Sequence, residues 1–154
     1  MPSAKEVRAA LDKDELDYGA LARELSEDAL PQLQELVAED DPRIASKAAY
    51  LAALIGGTSS DDILATAAHS RHDVVRVSAA AALSTLPAGR GKRVAELLLA
   101  DPDAGVRARA MRSAVQLDDS ELTRSVEEMA RQDDDPAVRN LATRLTGDPP
   151  EAQP

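Results

Sequence analysis

The sequence predicts an all-α protein, a right-handed α-solenoid of stacked antiparallel helix pairs with about ten helices, and three observations carry that prediction. One stretch is written four times: Asp41-Pro42-Arg43-Ile44 through Ile55, His72-Asp73-Val74-Val75 through Leu86, Asp103-Ala104-Gly105-Val106 through Leu117, and Asp135-Pro136-Ala137-Val138 through Leu145. The β-branched anchors Ile44, Val75, Val106 and Val138 lie 31, 31 and 32 residues apart, and a fixed period of that size marks a stacked array. Each anchor is followed four residues later by Ala48, Ala79, Ala110 or Ala142, and eleven later by Ile55, Leu86 or Leu117, which is one apolar stripe on a helix. Such a helix cannot bury its stripe alone, so it must pack on the helix before it and on the next copy.

The elements follow in order. Ser3-Ala4-Lys5-Glu6 reads as a capping box that opens a short helix to about Leu11. A second helix is expected from Glu15 to Leu25, with Leu21 and Leu25 beside Tyr18. Residues 1–26 do not match the repeat consensus and are read as N-terminal capping helices. Repeat 1 spans 27–57, with Leu33, Leu36 and Val37 inward on its first helix and Gly56-Gly57 ending its second. Repeat 2 spans 58–88, its first helix running from Ile63 to Ala68 behind the acids Asp61 and Asp62, which suit a helix N-terminus. Repeat 3 spans 89–118, with Val94, Leu97 and Leu98 as its buried stripe. Repeat 4 spans 119–146, with Leu122, Val126 and Met129 inward. Residues 1–146 form one domain, and 147–154, rich in proline and acid, have nothing to bury and are expected to be disordered.

The turn residues Asp-Pro-x-Ile at 41–44 and Asp-Pro-x-Val at 135–138, with Val-Arg and a following alanine at 75–79, 106–110 and 138–142, resemble the HEAT-repeat family, including its phycobilin-lyase-type HEAT-like repeats. The resemblance covers roughly residues 27 to 146. Copy two lacks the proline, and copy three has Asp101-Pro102 two residues early. The resemblance implies the fold and says little of function. It also implies that Arg76, Arg107 and Arg139, each one residue after its anchor, pair with acids of neighbouring turns as a ladder between repeats, with Asp41, Asp73, Asp103 and Asp135 as the candidate acids.

Composition excludes several classes. The chain of 154 residues has no Cys, and therefore no disulfide framework, thiolate metal site or thiol nucleophile. Its start has no apolar run of a signal peptide, and no segment approaches the ~18 apolar residues of a membrane span, so a cytoplasmic protein without membrane contact is expected. A net charge of −10 argues against nonspecific attraction to nucleic acid, and two tyrosines as the only aromatics make no stacking platform for bases or flat cofactors. No cofactor is expected.

Three short constellations read as structure. Gly89-Arg90-Gly91-Lys92 lacks the four-residue spacing between glycines and the Ser or Thr after lysine that a phosphate loop needs, and is read as a turn. His69, His72 and Asp73 have no third imidazole and no thiolate to complete a metal set. Asp133-Asp134-Asp135 precedes a helix whose dipole favours acids. No nucleophile is held by a base and an orienting third group, so no enzyme is expected.

Charge is segregated by helix type. The second helices, residues 43–55, 74–86, 104–117 and 137–145, hold eight Lys or Arg and no acid in 49 residues, although the chain has 28 acids. At about 100° per residue from each anchor, Arg43, Lys47, Tyr50, Arg109, Arg112 and Arg144 share one sector roughly 60° wide. In HEAT-like solenoids the second helices line the concave face, so the resemblance places a basic strip there. The reading is a monomeric scaffold or adaptor, non-catalytic, that binds an acidic peptide or helix of another protein on Arg43, Lys47, Tyr50, Arg109, Arg112 and Arg144. Two alternatives stand beside it. Nucleic-acid binding or base excision, as in HEAT-like alkylpurine DNA glycosylases, would call on aromatic residues around the extruded base, and this chain has no Trp or Phe. Action as a bilin lyase or lyase partner, suggested by the family name, would show as a co-purified pigment.

Overall fold

A computed structural model describes residues 1–87 and 89–147; the expected disordered tail, apart from Gly147, lies outside the described residues, as does Ala88. Ten α-helices and no strand occur among the described residues: α1 (Ala4–Leu11), α2 (Tyr18–Leu25), α3 (Leu30–Val37), α4 (Pro42–Ile55), α5 (Ser60–Ala68), α6 (Asp73–Ala82), α7 (Lys92–Leu99), α8 (Ala104–Ala114), α9 (Ser120–Gln132) and α10 (Pro136–Thr146). Single turns of 3-10 helix, Leu83–Thr85 and Val115–Leu117, extend α6 and α8.

Side-chain caps explain most helix starts. Ser3 and Glu6 satisfy each other's amides before α1, at 3.1 and 2.7 Å. Asp17, Asp41, Asp103, Asp119 and Asp135 turn their carboxylates onto the first free amides of α2, α4, α8, α9 and α10. Pro42 and Pro136 stand at the first helical position, where a missing amide hydrogen is harmless. The α2 start at Tyr18 is three residues later than the pattern suggests, because Asp17 caps there.

The helices stack in two layers. In one, α1, α3, α5, α7 and α9 pack in sequence; in the other, α2, α4, α6, α8 and α10 do. The core between them is the predicted stripe: Ile44, Val75, Val106 and Val138, with Ala48, Ala79, Ala110 and Ala142, are all buried. Small residues bring backbones close where α6 and α8 meet, so that the buried Ser113 hydroxyl donates to the Ala80 carbonyl at 2.6 Å. On α7 the stripe is Val94, Ala95, Leu98 and Leu99; Leu97 turns outward and is 39% exposed, because it lies about 100° from Leu98. Met129 is half-buried, while Leu122 and Val126 are in the core. No described helix is long and apolar enough to cross a membrane.

Candidate functional site

The arginines that follow the anchors reach from one helix pair to the next. On α6, Arg76 donates from Nε and Nη2 to the Asp101 carboxylate in the α7–α8 turn, at 2.8 and 3.3 Å, while its Nη1 bonds the Ser70 carbonyl of its own turn at 3.0 Å. Arg107 on α8 repeats the arrangement. Its Nε and Nη2 grip Asp133 in the α9–α10 turn at 2.9 Å each, and Nη1 donates to the Asp101 carbonyl at 2.9 Å. Arg139 on α10 makes the same bond to its own turn, Nη1 to the Asp133 carbonyl at 2.6 Å. Both acids are almost fully covered, with side chains 5% and 6% exposed. Planar bidentate pairing suits arginine and carboxylate in such a place.

The acids differ from those expected. Asp41, Asp103 and Asp135 cap their own helices, and Asp73 is the first residue of α6, which has no side-chain cap. An acid three residues before the anchor points down at its own helix. One five residues before it, Asp101 or Asp133, stands across the gap from the preceding arginine. That acid also accepts the amide of the capping residue, Asp103 or Asp135, at 2.9 Å. Burial alone would raise the Asp133 carboxyl, but the Arg107 fork and the Asp135 amide outweigh it and hold it below the usual carboxylate range. The bond to Asp133 raises the Arg107 guanidinium further. Repeat 1 has Ala45 in place of the arginine, and the matching acid position of the next turn is Ser70, whose hydroxyl accepts the His72 amide at 3.1 Å.

Other ties fix the outer layer. Arg90 donates to Asp61 at 2.9 and 3.1 Å and to the Gly57 carbonyl at 2.6 Å, so the glycine-flanked segment is a pinned turn. Lys92 meets Glu121 at 3.0 Å and Asp119 at 3.5 Å. His69 Nδ1 lies 2.8 Å from the Ala65 carbonyl of α5, and His72 Nε2 lies 3.3 Å from Asp40 in the α3–α4 turn, so the two imidazoles bond to different elements.

The six residues of the basic strip divide into two groups. Arg43 pairs with Asp12, which it holds below the usual carboxylate range, and Lys47 Nζ donates to the Leu11 and Lys13 carbonyls at 2.9 and 2.8 Å. Tyr50 meets Tyr18 edge to face, ring centres 5.0 Å apart, and burial raises the Tyr18 phenol. These three fasten the first helix pair to α4. Arg109 is half-buried and donates to Ser113 Oγ at 3.2 Å. Arg112 and Arg144 are exposed, and neither α8 nor α10 carries an acid. The sequence shows Asp101 and Asp133 as turn residues without marking either as a rung, and nothing in it marks Ser113 or the Arg8–Glu39 pair (3.1 Å). The recurrence of acid-x-Asp at turns 39–41, 101–103 and 133–135 is the signal that points to the acids.

No protein-family model matches the chain, and no curated protein is similar to it in sequence. Among solved structures it is similar to a chain of the complex of CpcE and CpcF of phycocyanin lyase from Nostoc sp. PCC7120, with 20% identity and a TM-score of 0.71, over 92% of this chain and 96% of that one. The likeness confirms the HEAT-like fold. It also corrects the expectation that this chain is no enzyme. That expectation rested on the lack of a nucleophile held by a base, yet the same fold occurs in a lyase complex, so the missing constellation excludes nothing.

Proposed function

We propose that this chain acts as a bilin lyase subunit or lyase partner, working together with another protein. What carries the reading is the correspondence with a phycocyanin lyase chain over nearly the whole of both chains. That solved structure is a complex of two proteins, which favours a protein partner here as well. The second-helix layer offers the contact surface. Arg112 and Arg144 stand exposed on helices free of acids, with Arg109 beside them, and suit the carboxylates of an acidic partner segment. Arg43, Lys47 and Tyr50, engaged with the first helix pair, organise that surface rather than contact the partner.

The test is to mix the purified chain with a bilin and a chromophore-free phycocyanin subunit and follow the visible absorbance. The expected result is a spectral shift of the bilin in the presence of the chain, reduced in Arg112→Glu/Arg144→Glu. A bilin spectrum indifferent to the chain, with and without the subunit and with a second HEAT-like lyase chain present, would refute the reading.

A further inference from the structure

The ladder of arginines and acids has two open ends, and they match. At one end, Arg139 keeps the bond to its own turn that Arg76 and Arg107 also make, but its Nε and Nη2 have no acid among the described residues. At the other end, the turn before α2 repeats the acid-x-Asp design as Glu15-Leu16-Asp17. Asp17 caps α2 by accepting the Ala20 amide at 3.0 Å, as Asp103 caps α8. Glu15 therefore stands five residues before the anchor position, Ala20, in the register of Asp101 and Asp133. It is exposed and makes no hydrogen bond or ion pair among the described residues.

We propose that two copies of this chain associate head to tail, the Arg139 fork of one closing on the Glu15 carboxylate of the other. Charge and shape both favour this occupant. α10 carries Arg139 and Arg144 and no acid. The α1–α2 turn offers Asp14 and Glu15 after Asp12 is taken by Arg43 and Asp17 by the cap. No residue of α2 is fully buried, in contrast to every other α-helix of its layer, and Leu16, Leu21 and Leu25 are partly exposed. A copy's α10, with the half-buried Leu145, would stack on α2 as α8 stacks on α6. The contact is heterologous, so each pair leaves one donor end and one acceptor end open. This assembly departs from the expected monomer and does not depend on the lyase reading.

Sedimentation over a range of concentrations, at low and high salt, tests it. The wild-type chain is expected to show a weight-average mass that rises with concentration and falls with salt. Arg139→Glu and Glu15→Arg should each raise the dissociation constant about tenfold or more. An equimolar mixture of those two variants should associate again, because every junction between unlike variants brings opposite charges together, one of them the native Arg139–Glu15 pair. Glu15 makes no bond within the chain, so Glu15→Arg keeps the test valid even if Arg139→Glu folds poorly. A wild-type chain that stays monomeric would overturn the proposal. So would association that appears only when residues 148–154, with Asp148 and Glu151, are removed. A mixture of the two folded variants that remains monomeric would overturn it as well.

Discussion

Replacing Arg107 by alanine removes the best-formed rung. The side chain is 15% exposed and its partner Asp133 6% exposed, so solvent does little to replace what is lost. Two charged hydrogen bonds to Asp133 disappear, together with those to the Asp101 and Pro102 carbonyls at 2.9 and 3.2 Å. Asp133 then keeps a single strong donor, the Asp135 amide. Breaking a buried ion pair costs about 3–5 kcal/mol, and a hydrogen bond to a charged group contributes about 1.5–3 kcal/mol. The remaining donor and the partial exposure bring the expected loss to about 2–4 kcal/mol. For a chain of this size that lowers Tm by about 5–15 °C. Thermal and urea unfolding followed by helical circular dichroism measure it, with Arg124→Ala, an exposed change, expected within about 0.5 kcal/mol of wild type. A melting curve of Arg107→Ala that overlays wild type would refute the argument.

Three more predictions follow from the same geometry. Asp101→Ala should destabilise more than Asp103→Ala, since the first strands the Arg76 fork and the second loses a cap worth about 1 kcal/mol; equal losses in urea titrations would erase the distinction. Because the Asp133 pKa is lowered, its contribution is complete above about pH 4 and is lost as pH falls through the lowered value. Asp133→Asn should therefore be less stable at neutral pH and show a flatter loss in acid, and parallel pH profiles would contradict this. Gly91→Ala should cost about 1–3 kcal/mol, because φ is +79° and a Cβ would sit 2.7 Å from Leu86 Cδ1 and 2.9 Å from Leu83 Cδ2; an unchanged Tm would count against that packing.

The array was legible in the sequence because its signals repeat: anchor, alanine and stripe recur at one period, and each names a buried position. The identity of the ladder acids was not. Asp101 and Asp103, or Asp133 and Asp135, sit two apart in one turn, and only the direction of each carboxylate separates a cap from a rung. The first helix pair concealed its design, since α2 has Ala20 and Leu21 where every copy has a β-branched anchor and copies two to four follow it with an arginine. Helical angle placed Arg43 and Lys47 in the sector of Arg112 and Arg144. It could not show that the α1 carboxyl end lies over the first two. Function was the least legible, because the fold needs no nucleophile signature to occur in a lyase complex.

The proposed lyase-type role is tested most directly by chromophore attachment itself. A bilin and a chromophore-free phycocyanin subunit are incubated with and without this chain, alone and with a second HEAT-like lyase chain, and the denatured subunit is then examined for visible absorbance. More pigment is expected on the subunit when this chain is present. Equal pigment in every mixture, from a chain shown to be folded, would contradict that role.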